Sequence, residues 1–149
     1  MPETSREFLV NGGQKDVWSV ISNPLRLSKC IPGCEQVTVL DEVQSLWKVK
    51  LSVGIVTRAI EARVKVTGKT EPSVLNMQLS EKNGDFNAEF FIELLKESET
   101  NTHVKFKANI QSSGSFAWVV NRIISTQMDK FVSDFVSRLQ EAIASPGPG

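Results

Sequence analysis

Residues 45–68 read SLWKVKLSVGIVTRAIEARVKVTG, and the alternation within them decides the fold. Trp47, Val49, Leu51 and Val53 fall on one face of an extended chain, with Lys48, Lys50 and Ser52 on the other. After Gly54, the residues Val56, Ile60, Ala62, Val64 and Val66 oppose Thr57, Glu61, Arg63 and Lys65. Period two with one wet side predicts strands whose other side is covered. The pattern returns at Leu75, Met77 and Leu79, again at Phe86, Ala88, Phe90, Ile92 and Leu94, and again at Val104, Phe106, Ala108 and Ile110. Five consecutive strands joined by short turns such as KNGD (82–85) predict an antiparallel meander with a single apolar face.

That face needs a cover, and the flanking segments supply it. Upstream, REFLVNGG (6–13) reads as a short strand closed by Gly12 and Gly13, and QKDVWSVIS (14–22) places Val17, Trp18 and Ile21 at helical spacing. Asn23 before Pro24 is the order expected of an N-cap followed by a first helical residue, giving a second short helix that ends near Cys30. Downstream, no glycine or proline interrupts Ser115 to Ala144, which allows a helix roughly 45 Å long at about 1.5 Å per residue. Phe116, Val120, Ile124, Phe131, Phe135, Leu139 and Ala142 fall along one side of it, and Arg122, Asp129, Ser133, Ser137 and Glu141 along the other. The apolar arc drifts between the two halves, as expected of a helix crossing a twisted sheet. The tail SPGPG cannot continue a helix, so a single domain is expected over 1–144 with a disordered tail at 145–149.

Bulk composition excludes several classes. With 149 residues, 40% apolar and 23% charged, the chain is an ordinary globular one that needs no staple. Lysine plus arginine equal aspartate plus glutamate at 17 each, so no net field draws the chain to nucleic acid. No stretch approaches a membrane span, and the start MPETSREFLV lacks the features of a secretory signal, so a cytoplasmic location is expected. In that compartment the two cysteines are expected to be thiols.

Reactive chemistry has little to work with. Cys30 and Cys34 flank Ile31, Pro32 and Gly33 in CIPGCE (30–35); their spacing is not the C-x-x-C of a redox pair. A structural zinc site needs about four ligands, and His103, the one histidine, shares parity with Lys105 and Lys107 on the wet face, so no metal is expected. The cysteines are read as small buried apolar groups around a tight turn. There is no tyrosine, no G-x-S-x-G elbow and no phosphate-binding glycine loop, and Asp85 and Glu89 read as solvated charges. No catalytic residue and no cofactor is assigned. Two polar residues interrupt apolar faces: Arg58 shares parity with Val56 and Ile60, and Gln127 lies within the helical arc. Each suits either the orientation of a ligand head group or a side chain reaching to water.

Three stretches together carry a resemblance: VWSVISNPLRLSKCIPGCEQV (17–37), VKLSVGIVTRAIEARVKV (49–66) and GSFAWVVNRIISTQMDKFVSDFVSRL (114–139). In them the chain resembles the CoxG family of carbon monoxide dehydrogenase subunits, within the SRPBCC/START-like helix-grip superfamily that also holds lipid-transfer domains and aromatase/cyclases. The resemblance implies an α+β fold in which a curved antiparallel sheet of about seven strands grips a long C-terminal helix. Two short helices follow the first strand, and a cavity is left between sheet and helix. It further implies a non-enzymatic accessory protein of a molybdenum-containing dehydrogenase, holding a hydrophobic small molecule such as a quinone or lipid. Candidate cavity residues are then Trp47, Leu51, Arg58, Ile60, Phe86, Phe90, Phe106, Phe116, Val120, Ile124 and Gln127, with Arg58 and Gln127 on the head group. The loop Cys30, Ile31, Pro32, Gly33 and Cys34 would shape the entrance. Periodicity does not separate lining from packed core. Some family members continue past the long helix into an extension that engages the membrane; this sequence stops at Gly149, which argues against such an anchor and leaves only peripheral contact. Two alternatives stay open: a cyclase- or lyase-type enzyme on the same fold, and a pure interaction subunit docking through its wet sheet face or Trp118.

Overall fold

The computed structural model describes residues 3–144; residues 1–2 and the tail at 145–149, for which disorder is expected, lie outside the described residues. Chain order is β1 (Glu3–Asn11), α1 (Gln14–Ile21), α2 (Pro24–Cys30), β2 (Cys34–Val39), β3 (Gln44–Val53), β4 (Val56–Thr70), β5 (Val74–Glu81), β6 (Phe86–Lys96), β7 (Asn101–Ser112), α3 (Gly114–Thr126) and α4 (Met128–Ala144). The strands form one seven-stranded sheet in the order β1-β7-β6-β5-β4-β3-β2. Every neighbouring pair is antiparallel. Period two holds: Ile60, Ala62 and Val64 are buried while Glu61, Arg63 and Lys65 between them are exposed. The sheet-and-helix arrangement implied by the resemblance is therefore present.

The entry to α2 shows how sequence sets a local corner. Asn23 Oδ1 accepts from the backbone N–H of Leu25 at 3.0 Å and of Arg26 at 3.3 Å, and Pro24 occupies the first turn, where its missing donor costs nothing. Asn23→Ala is expected to cost about 1 kcal/mol, read as a shift of the chemical denaturation midpoint without a change in slope. At the far end of α2, Gly33 adopts φ +89, and its carbonyl accepts from Lys50 N at 2.9 Å. The CIPGC loop is thereby held flat against β3.

The C-terminal helical stretch departs from a single rod. Gln127, at φ −125 and ψ −1, separates α3 from α4. The physical cause lies in the residues before it. Thr126 Oγ1 and Ser125 Oγ donate to the Arg122 carbonyl at 2.6 and 3.2 Å, back-bonding that bends helices, and Val119, Val120, Ile123 and Ile124 are poor helix formers. Consequently α3 packs on β3 and β7, while α4 lies against α1, α2 and β1. Asn11 N donates to Gln140 Oε1 at 2.9 Å, and the Arg26 guanidinium donates to the Ala142 carbonyl at 3.3 Å, placing a cation at the negative end of the helix dipole.

Candidate functional site

Between the concave face of the sheet and α4 lies a cavity of about 240 Å³. The sheet supplies Trp47, Val49, Leu51, Ile60, Val64, Met77, Leu79, Phe86, Phe90, Ile92, Leu94, Val104 and Phe106, with Phe8 at its edge. From α4 come Met128, Phe131, Val132, Phe135 and Leu139; α1 and α2 contribute Val17, Ile21 and Leu27, and the loop after them Ile31 and Pro32. All of these side chains are apolar. Phe8 meets Phe135 edge to face at 6.1 Å between ring centroids, and Phe90 stacks on Phe106 at 6.1 Å, so aromatic contacts brace both walls. Protein interiors leave few voids larger than a water molecule, and an apolar void of about 150 Å³ suffices to hold benzene.

Of the residues singled out by sequence, Trp47, Leu51, Ile60, Phe86, Phe90 and Phe106 line this cavity, as do Ile31 and Pro32 of the loop. The remainder do not. The break at Gln127 carries α3 away from the void: Val120 is buried in the core, and Phe116 and Ile124 are half-buried beside it, none of them lining. Arg58 is exposed, its guanidinium 5.7 Å from the centre of the Phe116 ring, so it caps α3 from outside. Gln127 serves the helix junction, donating its N–H to Ile123 and accepting from Phe131 N at 2.9 Å. Neither side chain lines the cavity. Cys30, Gly33 and Cys34 do not line it: Cys30 is buried as expected, but Cys34 is only half-buried and Gly33 is exposed, because the turn carries them to the surface. Phe131, Phe135 and Leu139 were legible as an apolar stripe, but nothing in the stripe signals that it faces a void.

The cysteines are free. Burial pushes both thiols up from their ordinary value, which leaves them protonated and poorly nucleophilic at neutral pH. His103 lies on the convex face as its parity predicts, but it is paired: Nε2 is 2.8 Å from Glu7 Oε1, a hydrogen bond that holds the Glu7 carboxyl below the usual range. Glu81 was missed by sequence reasoning. It continues the concave parity of β5 and is buried, yet Oε1 accepts from Asp85 N at 3.1 Å, so the carboxylate caps the β5–β6 turn instead of facing the cavity. The indole of Trp47 donates to Ser45 Oγ at 2.8 Å, which satisfies the polar atom of the largest lining side chain. No group of His, Cys, Asp and Glu fit to hold a metal occurs among the described residues. No helix among them is long and apolar enough to cross a membrane.

The model of the CoxG family of carbon monoxide dehydrogenase subunits matches residues 7–144, which span the sheet, the cavity and both C-terminal helices. The chain belongs to the CoxG family. Comparison with curated proteins finds no significant match. Among solved structures, this CoxG-family chain is similar to a conserved protein from Geobacillus kaustophilus at 23% identity and TM-score 0.83, over 96% of this chain and 95% of that one. It also resembles the Zhui aromatase/cyclase from a Streptomyces species, at 10% identity and TM-score 0.68 over 99% of each chain. Norcoclaurine synthase from Thalictrum flavum follows at 15% identity and TM-score 0.66, over 97% of this chain and 87% of that one. At these identities the likenesses establish the helix-grip fold that CoxG-family chains share with them, and nothing about chemistry.

Proposed function

We propose that this chain is a non-enzymatic accessory protein of a molybdenum-containing carbon monoxide dehydrogenase system, acting in the cytoplasm, and that it binds a hydrophobic small molecule, a quinone or lipid, in the cavity beneath α4. One observation carries the reading: a void of about 240 Å³ whose lining side chains are all apolar. An apolar guest gains roughly 25 cal/mol for each Å² of surface removed from water there. Acid–base chemistry finds no titratable side chain in that lining, which favours binding over a cyclase-type reaction even though an aromatase/cyclase shares the fold. The family name supplies the partner class.

The test is solvent extraction of the purified protein with mass spectrometry of the extract, followed by titration of quinones and long-chain lipids. Trp47 lines the cavity, so a bound guest is expected to change tryptophan emission. Absence of any bound or bindable lipophile removes the reading.

A second reading, a pure interaction subunit, is favoured by two exposed apolar side chains. Ile55, in the turn between β3 and β4, is fully exposed, and Trp118 on α3, which packs against β3, is 50% exposed. Under that reading Trp118→Glu abolishes co-purification with the dehydrogenase, and filling the cavity leaves co-purification intact.

A further inference from the structure

A second cavity, of about 350 Å³, lies between the α1–α2 corner, the β2–β3 hairpin and the end of β4. Ile21, Leu27, Trp47, Val64 and Met77 line both this cavity and the apolar one beneath α4, so the two are separated by the thickness of single side chains. Unlike its neighbour, the second cavity has a mixed lining, in which Ser22, Asp41, Glu42, Gln44, Ser45, Thr67 and Lys69 stand among apolar side chains.

Lys69 is there because of a bulge. The register of β4 against β5 shifts between Val66 and Gly68, pairing Val66 with Met77 but Lys69 with Leu75. In an uninterrupted strand Lys69 would share the convex face with Lys65. The extra residue moves it to the concave side, paired with the fully buried Leu75, where Lys69 itself stays exposed at the rim of the second cavity; re-aiming a side chain in this way is a common use of bulges.

The other polar groups are mostly committed. Asp41 Oδ1 accepts from Val43 N and Gln44 N, both at 2.8 Å, and Oδ2 from Gln44 Nε2 at 3.1 Å. Ser45 Oγ holds the Trp47 indole and Ser22 Oγ donates to the Trp18 carbonyl. Lys69 makes no ion pair or hydrogen bond among the described residues. The partition contains Met77, an unbranched side chain with three rotatable bonds that adapts to irregular space.

We propose that the two cavities form one bipartite site for a single-chain amphiphile. Its tail lies in the apolar cavity, and a head group presenting acceptor oxygens, a carboxylate or a quinone carbonyl, accepts a hydrogen bond from Lys69, with Met77 as the movable partition. This rests on the cavity reading above and places the head group at the opposite end of β3 from Arg58. The cation selects for acceptor oxygens, and the Glu42 carboxylate, which lines the same cavity, disfavours heads of high negative charge such as phosphates.

The experiment compares the full chain with its Lys69→Met, Lys69→Arg and Met77→Phe variants. Three probes are titrated: cis-parinaric acid, decylubiquinone, and the head-less lipophile N-phenyl-1-naphthylamine. Lys69→Met is expected to weaken the acceptor-headed probe that binds by about tenfold, the scale of one hydrogen bond to a charged group. Lys69→Arg is expected to retain affinity, and the head-less probe to be indifferent to both. A loss confined to the fatty acid and screened by salt identifies a carboxylate head; a loss confined to the quinone identifies a carbonyl. Met77 lines the apolar cavity as well, so Met77→Phe, with its fold checked by circular dichroism, is expected to weaken both kinds of probe, the acceptor-headed one more than the head-less one. Unchanged affinity of both acceptor probes in Lys69→Met, with N-phenyl-1-naphthylamine still bound, overturns the bipartite site alone. Failure of all three probes on the parent chain overturns the cavity reading itself.

Discussion

Filling the cavity from the helix side with Val132→Phe is expected to weaken binding of an apolar guest by about tenfold or more, roughly 1.4 kcal/mol per decade, with little loss of stability. Overpacking ordinarily costs about 1–3 kcal/mol because a dense core has no room for added methylenes. Here α4 projects Val132 into a void of about 240 Å³, so the ring enters space that is already present. The companion change on the same wall works in the opposite sense. Leu139 is 0% exposed, so Leu139→Ala enlarges the void and is expected to cost about 2–5 kcal/mol while leaving the guest its walls. Calorimetric titration and thermal melts on both variants separate space from stability. If the phenylalanine variant binds as the parent does, the guest is not in this cavity.

Gly33→Ala is expected to destabilise the fold on a comparable scale, through the backbone. Its backbone sits at φ +89, a region that costs an L-residue roughly 1–2 kcal/mol. A Cβ there would also lie 2.4 Å from the Lys50 carbonyl oxygen, which is backbone of β3 and cannot swing aside. The two penalties together are expected to reach about 3 kcal/mol or more, a fall of roughly 6–12 °C in Tm for a chain of this size. Gly84 is the control: it has φ +81 with nothing within 4 Å of the added carbon, so Gly84→Ala should show the conformational penalty alone. Equal losses for the two variants would mean that the loop gives way, and that Ile31 and Pro32 are not held rigidly at the cavity wall.

How much of this was legible beforehand differs between faces and depths. Alternation from Trp47 to Ile110 places strand residues on their faces wherever no bulge intervenes, because a strand repeats every two residues, and no tertiary knowledge enters. The Asn23–Pro24 cap was legible for the same reason: its hydrogen bonds span two and three residues. Trp47, Leu51, Ile60, Phe86, Phe90 and Phe106 could therefore be assigned inward. That they border empty space, while Val120 is packed solid, could not be assigned, since a void is set by how α4 meets a sheet whose strands are distant in sequence.

Three features needed the assembled chain. The helical stretch bends at Gln127 because Ser125 and Thr126 bond back to Arg122, and beyond that bend Phe116, Val120 and Ile124 lie outside the cavity lining. Arg58 follows inward parity, yet it is exposed, with its guanidinium 5.7 Å from the centre of the half-buried Phe116 ring of α3. Lys69 obeys outward parity on paper until the bulge at Val66 and Gly68, which is visible only in the pairing with β5, moves it to the other side of the sheet, where it stays exposed at the rim. Sequence by itself determined the strands, the caps and the identity of the greasy faces, all products of interactions a few residues long. Only the tertiary structure decided where those faces fail to touch and which charges end up beside the gap, because packing geometry is a property of segments that meet, not of any one of them.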